Sequence, residues 1–141
     1  QFLDPEDVLI RCYANAQTCG QDQRLHTDDD IASSKTIIVY VNDCWNVDWG
    51  GETIIWDKET RTITNSILPK FRSIMGFPGH AWHGVRPVSQ YADFLRMTLM
   101  FKTRNIKDVP DKIKEEEEDD SKFDLYGNVE NLSDPTSPNI F

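Results

Sequence analysis

Eight short runs rich in Val, Ile, Thr and aromatic residues follow one another through residues 6–104, separated by Gly, Pro, Asp and Asn. That texture confines the chain to all-β architectures. The runs span 6–14, 23–28, 35–42, 51–57, 60–66, 71–77, 82–88 and 94–104. Between the fourth and fifth, Asp57-Lys58-Glu59-Thr60 is a polar link that reads as a hairpin turn. No internal repeat is visible. Eight strands in this length predict a double-sheet jelly roll, the double-stranded β-helix, which can enclose a pocket at one mouth. An immunoglobulin-like sandwich is the structural alternative.

The 141 residues suffice for one such core and not two. Their net charge is -9, and residues 104–141 carry 11 of the 24 acidic side chains against 5 of the 15 basic ones. The run Glu115 to Asp120 holds six successive carboxylates; such a run resists compaction. The expected division is therefore a jelly-roll domain over 1–104 and an acidic, partly irregular tail over 105–141, on which Phe123, Leu125 and Tyr126 could still dock. A broad phosphate-binding face conflicts with this charge, which makes nucleic acid an unfavoured partner. No apolar run approaches the roughly 20 residues that span a bilayer, and the N-terminus shows no basic segment followed by an apolar one. The chain begins at Gln1, close before the first strand-like run, so an N-terminal portion is expected to precede it. Cys12, Cys19 and Cys44 form an odd set without a Cys-x-x-Cys pair. They are expected to be small buried hydrophobes in a cytoplasmic or other reducing intracellular protein.

His26-Thr27-Asp28 is the first group able to do chemistry. On a strand, side chains at i and i+2 share a face, so an imidazole and a carboxylate would enter one pocket together. The same triplet also reads simply, with Asp29 and Asp30, as a solvated turn. A third ligand must come from His80 or His83. His83 opens an apparent strand, whereas His80 follows Pro78-Gly79 in a loop-like stretch. Two His and one carboxylate with open positions form the facial set suited to non-haem Fe(II); the ordinary alternative for His83 is a hydrogen-bonded strand-end histidine.

In Leu95-Arg96-Met97-Thr98-Leu99-Met100-Phe101 alternation sends Arg96, Thr98 and Met100 to one face. An arginine on an apolar strand is costly unless an anion meets it. A guanidinium fork matches a carboxylate, whether a protein's or a ligand's, and the Thr98 hydroxyl could add a hydrogen bond. Tyr13 and Tyr40 sit mid-strand, where a buried phenol needs a polar partner; each could equally be ordinary core.

Taken together, these pieces resemble the Fe(II)- and 2-oxoglutarate-dependent oxygenases, and within them the prolyl 4-hydroxylase-like branch. The likeness covers about residues 9–103 and rests on Arg11-Cys12-Tyr13-Ala14-Asn15, His26-Thr27-Asp28, Tyr40-Val41-Asn42-Asp43-Cys44-Trp45, Trp49-Gly50-Gly51-Glu52-Thr53, His83-Gly84-Val85-Arg86-Pro87-Val88 and Arg96-Met97-Thr98, in family order. It implies His26, Asp28 and His83 as iron ligands. It also implies Arg96 as the partner of the far carboxylate of 2-oxoglutarate, helped by Tyr40 and Thr98, with Tyr13 lining the cosubstrate pocket. The 13-residue interval from His83 to Arg96 is a few residues longer than the family pattern, with Ser89-Gln90-Tyr91-Ala92-Asp93 as the insertion; Lys102, at the same parity, is the substitute cation.

The resemblance further implies hydroxylation of an unactivated C–H bond coupled to conversion of 2-oxoglutarate and O2 to succinate and CO2. It also implies ascorbate as an optional accessory reductant and a prolyl or other side chain of a peptide or protein as the expected substrate. Asp28 stands where a halogenating relative would leave room for chloride, which favours hydroxylation. Trp45, Trp49 and Trp82 are candidates to line a substrate groove. The rival readings are an oxidative nucleic-acid demethylase of the same superfamily, disfavoured by the acidity, and a non-catalytic metal-binding jelly roll.

Overall fold

In the computed structural model, which describes residues 2–110, all eight expected strands are present. They are β1 (Asp7–Gln17), β2 (Gln23–His26), β3 (Lys35–Tyr40), β4 (Thr53–Asp57), β5 (Thr62–Ile67), β6 (Ile74–Pro78), β7 (Trp82–Val85) and β8 (Arg96–Asn105). Two 3-10 turns, Val47–Trp49 and Ile106–Asp108, are the helical pieces among the described residues. Long-range pairing builds two antiparallel sheets, β1-β8-β3-β6 and β2-β7-β4-β5. This is the jelly-roll order, with each sheet drawing strands from both ends of the domain. The acidic run and the tail aromatics lie outside the described residues. Among those described, no helix is long and apolar enough to cross a membrane.

The strand period decides what faces inward. On β3 the buried residues are Thr36, Ile38 and Tyr40, and on β8 they are Arg96, Thr98, Met100 and, at the opposite parity, Thr103. Antiparallel register places Thr36 opposite Lys102, Ile38 opposite Met100, and Tyr40 opposite Thr98. Across the other edge of β8, Arg11, Tyr13, Asn15 and Gln17 oppose Lys102, Met100, Thr98 and Arg96. The apolar centre of this inner face is Ile38, Tyr40, Met75, Phe77 and Met100, against which Tyr13, Ile55, Ile67 and Ala81 pack. Met97 and Leu99, of opposite parity, are exposed.

Several expectations need correction in detail. All three cysteines are exposed rather than buried: Cys12 has the outward parity of β1, shared with Ala14 and Ala16, while Cys19 and Cys44 lie outside the strands. β7 stops at Val85, short of Val88, because Val88 leaves the sheet to bridge Cys19 and Gly50. β2 stops at His26, so Asp28 is not a strand residue. The expected turn between β4 and β5 does form; the Asp57 carboxylate accepts from the Glu59 amide at 2.8 Å and the Thr60 amide at 3.3 Å, an Asx-type closure.

Candidate active site

His26 and His83 are brought together by pairing of β2 with β7, where they are directly opposed. Their ring centroids are 4.3 Å apart. Each imidazole is oriented by the carbonyl two residues before it: His26 Nδ1 meets the Arg24 carbonyl at 2.8 Å, and His83 Nδ1 meets the Ala81 carbonyl at 2.9 Å. A carbonyl only accepts, so Nδ1 carries a proton in both rings, which puts the lone pair of the neutral tautomer on Nε2. Those lone-pair nitrogens face one carboxylate. Asp28 Oδ1 lies 3.5 Å from His26 Nε2, and Oδ2 lies 3.4 Å from His83 Nε2.

Asp28 reaches this position from just beyond β2. Its backbone N–H donates to the Gly79 carbonyl at 2.9 Å, so the turn before β7 holds the residue beside His83. The i, i+2 reasoning thus placed the carboxylate beside His26, although a loop-to-loop bond rather than strand geometry fixes it. One ligand atom from each of His26, Asp28 and His83 falls within 4.8 Å of the others. Two neutral imidazoles and one carboxylate on one side of a cavity fit a divalent iron ion of the two-histidine, one-carboxylate type. His80 is exposed and stands apart from the group.

Burial shapes the charges. His83 is 3% exposed, and burial holds its imidazole below its ordinary pKa despite the opposing influence of the Ala81 carbonyl and Asp28. For Asp28, burial alone would raise the pKa. Hydrogen bonds from Lys102 and Thr36, with the nearby positive charge, outweigh burial and hold it below the usual carboxylate range. At neutral pH His83 therefore presents a lone pair and Asp28 an anion.

The same cavity, about 230 Å³, is lined by Tyr13, His26, Asp28, His83, Arg96 and Thr98 among others. Arg96 is 2% exposed. Its Nε donates to the Gly51 carbonyl at 2.7 Å, Nη1 to Gln17 Oε1 at 2.9 Å and Nη2 to Thr53 Oγ1 at 2.8 Å. None of these partners is charged, and burial draws the guanidinium pKa below its usual value. A buried cation held by neutral acceptors at a cavity wall has charge to spare for an anionic ligand. The long link from His83 to Arg96 is absorbed as a loop, with the Ser89 amide bonded to the Trp49 carbonyl at 2.8 Å and Phe94 edge-on to Trp49 at 5.9 Å. Arg96 remains deep.

Tyr40 lies behind the lining, 1% exposed. The Arg96 guanidinium stands 5.4 Å from its ring centroid, and its hydroxyl donates to Thr53 Oγ1 at 2.7 Å. Thr53, fully buried, accepts from both Tyr40 and Arg96, which leaves its own proton for a third partner. Sequence reasoning quoted Thr53 within Gly-Gly-Glu-Thr without singling it out; its inward parity with Ile55 on β4 is the signal that could have found it. Thr98 is 1% exposed beside the arginine. Tyr13 is half-buried under the Arg11 guanidinium, 4.7 Å from its centroid. The three tryptophans do not form one groove: Trp45 and Trp49 meet edge-on at 5.3 Å, while Trp82 lines a separate cavity with Trp56 and His80.

Solved structures share this fold. An oxidoreductase of the 2OG-Fe(II) oxygenase family from Burkholderia pseudomallei matches with a TM-score of 0.60 at 18% identity, over 71% of this chain and 46% of that one. A Pseudomonas putida prolyl-4-hydroxylase matches with a TM-score of 0.56 at 21% identity, over 67% and 51%. A Trichoplax adhaerens prolyl hydroxylase, in complex with a peptide fragment of the hypoxia inducible factor oxygen degradation domain, matches with a TM-score of 0.59 at 21% identity, over 71% and 46%. The chain thus spans about half the length of these structures. No curated protein sequence matches it. The family model described as the 2OG-Fe(II) oxygenase superfamily matches residues 9–101, most of the strand-bearing region just described, and the chain belongs to that superfamily.

Proposed function

We propose that the chain is the catalytic jelly roll of an Fe(II)- and 2-oxoglutarate-dependent dioxygenase that hydroxylates a prolyl or other side chain of a peptide or protein, with release of succinate and CO2. The observation that carries this reading is a single cavity with His26, Asp28 and His83 on its wall together with a buried, carboxylate-free Arg96. Iron, when bound there with 2-oxoglutarate, supplies the dioxygen chemistry that side chains alone cannot. The residues divide the remaining work. His26 and His83 offer Nε2, with the Nδ1 protons held on backbone carbonyls. Arg96 receives the far carboxylate of 2-oxoglutarate in its fork, Tyr40 and Thr53 brace the guanidinium, and Thr98 donates beside it. Tyr13 closes the side of the cavity.

The peptide-bound Trichoplax relative supports a peptide or protein substrate. The exposed, unpaired Cys12, Cys19 and Cys44 support residence in a reducing compartment such as the cytoplasm. The test is anaerobic titration of 2-oxoglutarate into the Fe(II)-loaded chain. A metal-to-ligand charge-transfer band should develop, and aerobic turnover to succinate with proline-containing peptides, with and without ascorbate, should add oxygen to the peptide by mass spectrometry. Absence of the band in folded, Fe(II)-bound protein would refute the reading.

A further inference from the structure

Lys102 occupies an unexpected place. The sequence made it a substitute for Arg96, but its Nζ is ion-paired to Asp28 Oδ2 and also donates to Thr36 Oγ1 at 3.0 Å. The Thr36 hydroxyl in turn donates to the same Asp28 Oδ2 at 2.6 Å. The cross-strand register puts Lys102 and Thr36 side by side on β8 and β3, so two neighbouring strands close a triangle on one carboxylate oxygen. Among the described residues Asp28 Oδ1 receives no hydrogen bond; it faces His26 Nε2, while Oδ2 faces His83 Nε2.

Two cavities flank Asp28. The one already described contains both histidines, and the second, about 280 Å³, contains Lys102 beside Arg11 and Arg104. Asp28 lines both, and Lys102 meets its Oδ2, the oxygen that also lies 3.4 Å from His83 Nε2. A cation beside a divalent-metal site weakens metal binding by like-charge repulsion, and therefore needs another reason to be there.

We infer that Lys102, with Thr36, is a positioning residue that engages the acceptor sites of Asp28 Oδ2, so that the carboxylate would bind iron through Oδ1 alone. A carboxylate offers about four lone-pair sites, and those of Oδ2 are taken by the two donors. The consequence concerns open positions. An iron ion held there by two imidazoles and one carboxylate oxygen would keep open positions for 2-oxoglutarate and for dioxygen. A carboxylate that bound through both oxygens would fill one of them. This inference rests on the proposed dioxygenase function.

The experiment uses Lys102→Met, Thr36→Val, their double variant and Lys102→Arg in the 141-residue chain. Nitric oxide, which occupies the open iron position, is added to the anaerobic Fe(II) and 2-oxoglutarate form, and the adduct is read by electron paramagnetic resonance. Wild type should form the adduct nearly completely. Lys102→Met should bind Fe(II) at least as tightly, yet lose several-fold in adduct yield. The double variant should lose more, and Lys102→Arg, which keeps a cationic donor, should recover most of the wild-type signal. Co(II) absorption, sensitive to coordination number, should change in the same order. A folded Lys102→Met protein with wild-type adduct yield and Co(II) spectrum would overturn the inference. So would an Arg variant indistinguishable from the Met variant. If the double variant fails to fold, the single variants decide. Failure of wild type to develop the 2-oxoglutarate charge-transfer band would instead overturn the functional reading beneath it.

Discussion

Gly51 and Arg96 are fitted to each other: the Gly51 carbonyl accepts from Arg96 Nε at 2.7 Å, and a Cβ on Gly51 would stand 3.0 Å from Arg96 Cδ and 3.3 Å from Trp45 Cζ2. Gly51 also has φ of +73°, where a side chain is disfavoured. Gly51→Ala therefore pushes the arginine off the acceptor that aims it. We expect a loss of about 1–2 kcal/mol in denaturant stability from the backbone alone, together with weaker 2-oxoglutarate binding at unchanged Fe(II) affinity. Cosubstrate affinity equal to wild type would show that the guanidinium does not depend on this contact.

Arg96→Lys keeps the charge and loses the planar fork. Cosubstrate binding should weaken while iron binding persists. Arg96→Ala should weaken it further, by roughly 3–5 kcal/mol if the ion pair with the cosubstrate carboxylate is fully buried. Charge-transfer titration of each variant measures this, and unchanged affinity in Arg96→Ala would remove the residue from the site.

Tyr40→Phe deletes the hydroxyl that donates to Thr53 and leaves the ring against the guanidinium. The stability cost should be about 1 kcal/mol, the usual net value of one hydrogen bond, and the affinity for 2-oxoglutarate should fall. A drop in stability with cosubstrate affinity untouched would confine Tyr40 to a packing role.

For the metal-free protein, acid should act through His83 first and Asp28 second. Burial sets the folded pKa of His83 below its ordinary value. As pH falls through roughly 6.5, the unfolded chain takes up a proton that the folded one refuses. Stability is then lost progressively until the folded pKa is passed. The Asp28 carboxyl, also depressed, adds a second loss in the same direction below roughly 3.9. Urea midpoints between neutrality and pH 4 should decline, and His83→Gln should flatten the upper part of that slope. A wild-type midpoint that rises on acidification would contradict the burial of a neutral His83.

The strands were legible because period-two alternation and turn residues are local signals; the same parity suggested the pairing of His26 with Asp28, while His83 stood out from His80 by opening a strand-like run. The parity of β8 also put Arg96 and Thr98 on the inner wall. What stayed hidden depends on register between strands distant in sequence. Nothing near Lys102 announces Thr36 as its neighbour; only the pairing of β3 with β8 does, and that register is set by packing of the whole inner face. The same holds for Thr53, whose role appears once β4 lies across the cavity from β8. Asp28 was placed rightly for a partly wrong reason, since the bond to Gly79 joins two loops that no periodicity connects.

The two histidines orient themselves by one local device: each ring leans its Nδ1 on the carbonyl two residues earlier in the chain, Arg24 for His26 and Ala81 for His83. Neither ring needs another element of the fold to choose which nitrogen is protonated. The tautomer is thus written into two tripeptides, Arg24-Leu25-His26 and Ala81-Trp82-His83, and a single antiparallel pairing presents both lone pairs together. A metal-binding face of this kind is portable: grafted onto adjacent strands of an unrelated sheet at the same register, with a carboxylate supplied from a nearby loop, it should carry its chemistry with it.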